Sequence, residues 1–273
     1  MALKPWLLAT PASRGIGLQL ARRLLNTTDL PVVATARKDL ESTKTQILHG
    51  LDVDPSRLSV LKLDVTDEST ITAATSHLRT LFPLSSHYLH LAFCVPGILH
   101  PEKSPEQITY DAALETFKVN ALGPLLLIKH LSPFLPRKSS LLPSFPSAPL
   151  PPHATLALMS ARVGSISDNN GLGGWYSYRA SKAAVNQIVK TFDLHLQRTS
   201  GEKAVCVGLH PGTVKTGLSE AFWGNVKEGK LFEAEWVAGR LVEVLKGVGG
   251  GGGKGEVLGL GGEGGGALMM DGV

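Results

Sequence analysis

Short apolar runs alternate with segments of helical periodicity along most of the chain. The runs that predict buried strands cover residues 6–9, 30–36, 58–63, 88–93, 155–159 and 204–209. Apolar positions recur with helical spacing over residues 15–26, 67–81, 107–135, 176–199 and 233–246. Strands that are apolar along their whole length are typical of a parallel sheet with helices on both faces. The pattern therefore predicts an α/β fold, a three-layer doubly wound parallel sheet in a single domain.

Two segments break the alternation. Residues 132–153 are rich in proline and serine, which predicts a surface loop. From Gly247 onward glycine dominates, and such a segment buries too little apolar surface to pack firmly. We therefore expect one domain over residues 1–246 and a flexible, glycine-rich tail over residues 247–273, in which Val257–Leu260 is a candidate for a short last strand.

Composition narrows the class of protein. A chain of 273 residues can bury a substantial core, and 43% hydrophobic with 18% charged residues are ordinary globular values. The net charge of +4 is not gathered into a basic block, so a small anionic molecule is a better expected partner than nucleic acid. Cys94 and Cys206 fit a reduced compartment without a disulfide framework. Without an apolar run of ~20 residues or a signal-peptide pattern, we expect a cytoplasmic protein with no membrane partner.

A glycine-containing turn follows the first predicted strand. Residues 10–17 read Thr-Pro-Ala-Ser-Arg-Gly-Ile-Gly and lead into a predicted helix. Glycine in such a turn lets backbone N–H groups approach a pyrophosphate at the helix N-terminus. The candidate cofactor-binding residues here are Arg14, Gly15, Ile16 and Gly17. A tight turn that binds nothing would show the same pattern.

The end of the second predicted strand indicates which dinucleotide would bind. An NAD site usually places an acid there for the ribose hydroxyls, but this strand ends in Arg37 and Lys38. Arg37 and Arg14 can instead clamp a 2′-phosphate, which predicts NADP. The alternative interpretation is a pair of solvated arginines.

Tyr178 and Lys182 lie four residues apart in the helical pattern of residues 176–199, so they share one helix face. The ordinary tyrosine pKa of ~10 is too high for proton transfer at neutral pH. A nearby ammonium stabilises the phenolate and lowers this pKa, which makes the pair a candidate acid–base centre. The same spacing also arises by chance on surface helices.

In this order along the chain, these motifs resemble those of the short-chain dehydrogenase/reductase family. The glycines of residues 10–17 match the family loop Thr-Gly-x-x-x-Gly-x-Gly, and Tyr178 with Lys182 matches its catalytic pair. Residues 211–216 match its Pro-Gly-x-x-x-Thr segment. The resemblance spans residues 5–245 and implies a Rossmann fold.

A finer resemblance comes from residues 97–102 and 174–176. These segments are similar to the subgroup related to the fly carbonyl reductase sniffer and the bacterial C-factor. The chain departs from the family at three places: Pro11 stands where the loop has glycine, residues 94–96 (Cys-Val-Pro) replace Asn-Asn-Ala, and Ala161 occupies the usual serine position.

The resemblance implies roles for several residues. During carbonyl reduction Tyr178 would protonate the oxygen, Lys182 would lower the Tyr178 pKa and bind the nicotinamide ribose, and Asn120 would hold a water that relays protons. The other implied cofactor contacts are Asp64 to the adenine amino group, Val214 and Thr216 to the carboxamide, and Lys129 near the cofactor.

The catalytic serine has two candidates. Ser160 is the neighbour of Ala161, and Ser165 lies thirteen residues before Tyr178, the family's common spacing. We favour Ser160, while Ser165, or no serine at all, stays open. A missing hydrogen-bond donor would cost on the order of 10²–10³ in rate.

These features favour an NADPH-dependent oxidoreductase, without a metal, that reduces a ketone or aldehyde to an alcohol or catalyses the reverse reaction. Residues 217–232 are expected to form a mobile lid whose Phe222, Trp223 and Phe232 give a partly aromatic pocket. The three departures from the family favour a second interpretation, a catalytically weak NADP-binding sensor or scaffold. The implied partners are a small carbonyl or alcohol substrate and, as for other members, a second copy of the chain.

Overall fold

The computed structural model describes residues 2–143, 150–169, 173–248, 257–260 and 267–269. The strands are β1 (Lys4–Thr10), β2 (Val32–Ala36), β3 (Leu58–Lys62), β4 (His87–Cys94), β5 (Ala154–Met159), β6 (Ala204–His210), β7 (Thr213–Val214), β8 (Leu231–Phe232), β9 (Val257–Leu260) and β10 (Ala267–Met269). The helices are α1 (Gly15–Thr27), α2 (Leu40–Leu48), α3 (Glu68–Leu81), α4 (Tyr110–Phe117), α5 (Gly123–Leu131), α6 (Tyr176–Thr199) and α7 (Ala234–Lys246).

Within these residues, eight strands form the main sheet in the order β10-β9-β6-β5-β4-β1-β2-β3, and β7 pairs with β8 separately. The neighbours from β3 to β9 all pair in parallel, whereas β10 runs antiparallel to β9. The predicted doubly wound parallel sheet, a Rossmann fold in a single domain, is therefore confirmed.

The apolar core lies on both faces of the sheet. Alternate residues of a strand point to opposite faces. Trp6 and Leu8 of β1 belong to the core under α3, α5 and α6, and Leu7 and Ala9 belong to the core under α1 and α7. Because both faces of the strand are covered over residues 6–9, all four of these residues are apolar, which is the pattern that the sequence shows.

The helices differ from the predicted pattern in two places. The sequence does not predict α2. This helix buries only Thr43 and Ile47, so its apolar positions are too few to show a helical period. The helix predicted over residues 107–135 is divided into α4 and α5 by a π-helical turn at Lys118–Leu122. Such a turn inserts one residue into the helical repeat and is frequent at functional sites.

The glycine-rich tail adds to the sheet. The predicted strand Val257–Leu260 is confirmed, since β9 pairs with β6, and β10 follows it without a clear sequence signal. The sheet therefore continues past residue 246, where the sequence places the end of the domain. The predicted flexibility of the tail concerns mainly residues 249–256, 261–266 and 270–273, which lie outside the described residues.

The predicted surface loop packs against the body at both ends, where Phe134 and Leu150 are buried. Its middle, residues 144–149, lies outside the described residues. Across the described ranges, no helix is both long and apolar enough to cross a membrane.

Parallel strands end at one common edge of the sheet. The loops after β1, β3, β4, β5 and β6 all leave the sheet there. In open α/β sheets ligands bind outside the carboxyl ends of the strands, so the candidate functional residues are expected at this edge.

Candidate active site

A cavity of about 940 Å³ opens at the carboxyl edge of the sheet. Most of the residues that the sequence singles out lie in its wall. They are Arg14, Gly15, Ile16, Gly17, Arg37, Asp64, Ser160, Tyr178, Lys182, Val214 and Thr216. The fold thus brings residues from distant parts of the chain to one site.

The N-terminus of α1 forms one end of the cavity. Arg14 precedes the helix with an extended backbone, no described side chain caps the first turn, and that turn contains no acid. The uncapped backbone N–H groups of this turn are therefore suited to an anion. Arg14 and Arg37 line the same end, so the residues present fit a ligand with more than one phosphate group.

Pro11 lies in close contact with the first turn of α1. Its carbonyl oxygen lies so close to Gly17 that a Cβ at that position would overlap it. The loop is also tied to β2, because Ala12 N donates to Thr35 O at 2.7 Å and the Thr10 and Thr35 hydroxyls are 2.6 Å apart. Glycine at position 17 is thus a steric requirement of the turn.

Asp64 and Thr216 contribute polar groups elsewhere in the wall. Asp64 Oδ1 accepts hydrogen bonds from Thr66 N at 2.9 Å and Thr66 Oγ1 at 2.7 Å, which orients the carboxylate at the end of β3. The Thr216 side chain lies opposite Gly15, where an added Cβ would be 3.2 Å from the Thr216 methyl carbon. The cavity therefore narrows between the α1 loop and the segment after β7.

Asn120 is buried in the π-helical turn and does not line the cavity. Its Nδ2 donates to Ile98 O at 2.9 Å and to Ser181 Oγ at 3.1 Å, and its Oδ1 accepts from Ile98 N at 2.9 Å. Both amide hydrogens are thus used within the protein. Asn120, in the π-helical turn, therefore connects the loop after β4 to α6.

Tyr178 and Lys182 lie together on α6, buried against the end of β5. Lys182 Nζ donates to Met159 O at 2.8 Å and is 5.6 Å from the centre of the Tyr178 ring. The Tyr178 ring also makes an edge contact with Trp175, at 6.2 Å between ring centres. The spacing along the helix therefore produces the predicted proximity.

The direction of the Tyr178 pKa shift differs from the sequence prediction. Burial raises the pKa of Tyr178 to about 12 and lowers the pKa of Lys182 to about 8. Removal from water disfavours both charged forms, and here it outweighs the attraction between phenolate and ammonium. At neutral pH Tyr178 therefore carries its proton, while most Lys182 side chains are charged.

The two serine candidates occupy different places. Ser160 lines the cavity beside Ala161, and its hydroxyl donates to Asn186 Oδ1. Ser165 does not line the cavity; its hydroxyl is 3.1 Å from that of Ser167 and accepts from Asp168 N at 3.2 Å. Of the two candidates, Ser160 is therefore the one that lies in the cavity wall.

Lys129 lies outside the cavity wall. Its Nζ is 2.7 Å from Glu68 Oε1, and its side chain is 64% exposed. His130 Nε2 contacts the same carboxylate oxygen at 2.8 Å. This surface cluster between α5 and α3 gives Lys129 a partner away from the cavity, which does not support the cofactor contact implied by the family resemblance.

The aromatic residues at the substrate end are not the predicted set. Phe222 lines the cavity, and its ring centre lies 5.1 Å from that of Trp175, for which the sequence predicts no place in the pocket. Trp223 instead donates to Ser219 Oγ at 2.8 Å, and Phe232 stacks on Trp236. The predicted lid carries a short 3₁₀ helix, Glu220–Asn225, beside the cavity; its mobility stays a prediction.

Three further residues at the site are not predicted from the sequence: Ser181, Asn186 and His210. Asn186 lies four residues after Lys182, so helical spacing from Tyr178 and Lys182 is the signal that could have found it. Ser181 lies between Tyr178 and Lys182 and bonds to Asn120. His210 lines the cavity, and burial lowers its pKa to about 4, so it is neutral there.

Parts of the chain are similar in sequence to known proteins. A family model described as "Enoyl-(Acyl carrier protein) reductase" matches residues 11–144. The chain is 29% identical over 176 residues to 1-hydroxy-2-glutathionyl-2-methyl-3-butene dehydrogenase of Rhodococcus sp. strain AD45, covering 64% of this chain and 65% of that one. It is 35% identical over 111 residues to C-signal of Myxococcus xanthus, covering 41% and 57%. The match thus spans less than two thirds of either relative's length.

Solved structures extend the comparison over nearly the whole chain. The NADPH-bound carbonyl reductase from chicken fatty liver is 26% identical with a TM-score of 0.75, covering 95% of this chain and 97% of that one. The carbonyl reductase Sniffer of D. melanogaster shares the fold, with 20% identity, a TM-score of 0.72 and the same coverage. The matched family model, relatives that include C-signal, and a cavity lined by the expected motifs all support the resemblance to the short-chain dehydrogenase/reductase family.

Proposed function

We propose that this protein is an NADP(H)-dependent oxidoreductase that reduces a ketone or aldehyde to an alcohol, or catalyses the reverse reaction. The observation that carries the proposal is Tyr178 beside Lys182, buried in the wall of a cavity whose other end is suited to phosphate groups. A proton donor and a dinucleotide cradle in one cavity are what carbonyl reduction requires.

NADP is favoured over NAD by charge. Arg14 and Arg37 line the nucleotide end of the cavity, whereas Asp39, the acid in the turn after β2, does not line it. A guanidinium pair fits a 2′-phosphate, whereas an acid would be needed for free ribose hydroxyls. The chicken liver carbonyl reductase, at 26% identity, binds NADPH, which agrees with this choice. When bound, the cofactor supplies the hydride.

Tyr178 is the proposed general acid. Because its pKa is raised by burial, the phenol holds its proton at neutral pH and can donate it to a carbonyl oxygen. The phenolate that remains lies near the Lys182 ammonium, which stabilises it. Asn120 supports this pair indirectly by clamping Ser181, one residue before Lys182, to the loop after β4.

The other proposed contacts follow from the cavity wall. Gly15, Ile16 and Gly17 would present backbone N–H groups to the pyrophosphate. Asp64, Val214 and Thr216 keep the roles implied by the family resemblance, at the adenine and carboxamide ends. Ser160 would polarise the substrate oxygen, but its hydroxyl must first turn away from Asn186.

The substrate end favours an apolar carbonyl compound. Trp175, Phe222 and Leu218 line the cavity around Tyr178. Aromatic walls bind flat apolar groups through stacking and edge contacts. We therefore propose aryl ketones and aryl aldehydes as the first compounds to test.

The experiment is NADPH oxidation with a panel of aryl and alkyl carbonyl compounds, repeated with NADH. The proposal predicts turnover of aryl compounds with NADPH and a much lower kcat/KM with NADH. Faster turnover with NADH would contradict the cofactor assignment, and an absence of turnover across the panel would contradict the reductase assignment.

A second candidate function is a catalytically weak NADP-binding sensor or scaffold. It is favoured by Ala161 at the serine position and by the Ser160 hydroxyl, which is already bonded to Asn186. Tight binding of NADPH without turnover would support this alternative over the enzyme.

We also propose that the chain pairs with a second copy through α4 and α5. Leu114, Phe117, Leu122 and Leu125 expose apolar side chains along this face. Burial of such a patch is a common driving force for self-association. Light scattering should give a mass of at least two chains; a monomer over the micromolar concentration range would contradict the proposal.

A further inference from the structure

Glu102 is a buried carboxylate outside the cavity wall. Its side chain lies in the loop after β4, and the residue is 3% exposed. Both oxygens accept hydrogen bonds from Ser177: Oε2 from the backbone N–H at 2.8 Å and Oε1 from the hydroxyl at 2.5 Å. A buried carboxylate is costly unless it is hydrogen-bonded, so this paired contact fixes the two segments together.

The start of α6 has no local cap. Trp175 occupies the capping position with a left-handed backbone (φ 53°) and provides no side-chain cap. Glu102 takes over this function across 75 residues of sequence, because its carboxylate satisfies the Ser177 N–H and its carbonyl oxygen accepts from Trp175 N at 2.6 Å. Its negative charge also lies near the positive end of the helix dipole, which stabilises the start of α6.

The Glu102 backbone lies so close to residue 174 that glycine is favoured there. Gly174 has φ +71°, and a Cβ there would be 3.0 Å from Glu102 O. A side chain at this position would be strained and would push the Glu102 segment away from α6. The two backbones are therefore packed directly against each other at the start of the helix.

The loop that carries Glu102 is itself anchored. Asn120 makes paired hydrogen bonds to the Ile98 backbone, and His100 Nε2 lies 2.9 Å from Glu115 Oε2 on α4. Glu102 thus connects α6 to a segment fixed by other parts of the protein.

Tyr178 follows Ser177 in that first turn, and its ring contacts Trp175. We propose that Glu102 is a positioning residue that holds the Tyr178 hydroxyl at the reacting carbonyl by capping α6 from the loop after β4. The consequence for catalysis rests on the proposed reductase function. Misplacement of a reacting group by about 1 Å costs on the order of 10²-fold in rate.

Three substitutions distinguish the loss of the helix cap from a general disturbance of the loop that carries Glu102. Glu102→Ala removes both side-chain bonds to Ser177. Glu102→Gln keeps them, because its carbonyl oxygen can accept from the N–H while its amide donates to the hydroxyl. Glu106→Ala is the matched control, since Glu106 is an exposed acid on the same loop.

With the full chain and NADPH, Glu102→Ala should lower kcat by roughly 10- to 100-fold. The dissociation constant of NADPH should stay within about twofold, because the cofactor end is untouched. Glu102→Gln should recover most of kcat, and Glu106→Ala should match the wild type. Equal kcat in Glu102→Ala and wild type would overturn the proposal, as would no recovery in Glu102→Gln.

A readout independent of activity completes the test. Amide hydrogen exchange at residues 173–182, and the ring NMR signals of Tyr178 assigned through Tyr178→Phe, should change in Glu102→Ala and remain as in the wild type in Glu106→Ala. If the wild type reduces no carbonyl compound while these signals change, the reductase function fails but the positioning of Tyr178 stands. Unchanged exchange and unchanged ring signals in Glu102→Ala overturn the inference in either case.

Discussion

Lys182 Nζ lies 5.6 Å from the centre of the Tyr178 ring and donates its hydrogen bond to Met159 O. The ammonium is thus near the phenol while it is anchored to the end of β5. This separation leaves burial as the main influence on both pKa values, raising that of Tyr178 and lowering that of Lys182. In the proposed function, this arrangement suits proton donation by Tyr178 to a carbonyl oxygen.

The first prediction concerns the pH dependence of turnover. Because burial lowers the pKa of Lys182 to about 8, the ammonium is lost as the pH rises through that value, and the phenolate loses its stabilising charge. The kcat/KM for NADPH, which reports the free enzyme, should fall above this pH. A profile that stays flat up to pH ~10, near the ordinary lysine pKa, would contradict the assignment.

A second prediction concerns stability. Unfolded lysine titrates at ~10.4, above the folded value of about 8, so the folded state binds fewer protons between these two pKa values and stability rises with pH over that window. Lys182→Met removes the buried charge. It should raise Tm at pH ~7, below the folded pKa, and this gain should shrink as the pH approaches ~10.4. A gain that does not change with pH would contradict this account.

A third prediction tests the nucleotide end. Arg37→Ala removes a charge-assisted contact worth about 1.5–3 kcal/mol, which corresponds to roughly 10- to 150-fold in the KM for NADPH. The KM for NADH should change little. Lys38→Ala is the matched control, because Lys38 adjoins Arg37 but does not line the cavity. Equal effects of the two substitutions would show that only the general positive charge matters.

A fourth prediction concerns the turn before α1. An alanine Cβ at position 17 would overlap Pro11 O, so Gly17→Ala must displace the loop that faces the phosphates. NADPH binding should be lost, and the free energy of unfolding should fall by about 1–3 kcal/mol. Gly224→Ala is the control, because no heavy atom lies within 4 Å of an added Cβ there. Normal NADPH binding by Gly17→Ala would exclude this loop as the pyrophosphate site.

The two serines give a fifth prediction. If Ser160 polarises the substrate oxygen, Ser160→Ala should lower kcat by about 10²–10³, while Ser165→Ala should leave kcat within about twofold. Asn186→Ala should release the Ser160 hydroxyl and keep much of the activity. A large loss in Ser165→Ala, or none in Ser160→Ala, would reverse the assignment.

Much of the fold could be predicted from the sequence, because strands covered on both faces are apolar at every position. The apolar run at residues 204–209 is an example, because it forms β6, which lies inside the sheet between β5 and β9. The helix α2 could not be predicted, since it buries little apolar surface. The π-helical turn at Lys118–Leu122 leaves no sequence signal, because its extra residue does not change the apolar content of the helix.

The site was predictable where spacing alone brings residues together, as for Tyr178 and Lys182. It was not predictable where contacts join distant segments. Glu102 reaches Ser177, and Ser160 reaches Asn186, through tertiary packing that no local pattern encodes. The direction of the Tyr178 pKa shift depends on burial in the fold, which spacing along a helix does not reveal.

The proposed reductase function depends on Tyr178 as the proton donor during carbonyl reduction. It is tested most directly by the rate of NADPH oxidation with an aryl ketone, measured for wild type, Tyr178→Phe and Tyr176→Phe. Tyr176 is the matched control, a more exposed phenol two residues earlier on α6. We predict that Tyr178→Phe lowers kcat by about 10²–10⁴ while binding NADPH normally, and that Tyr176→Phe keeps the wild-type rate. Equal rates for wild type and Tyr178→Phe would contradict the account.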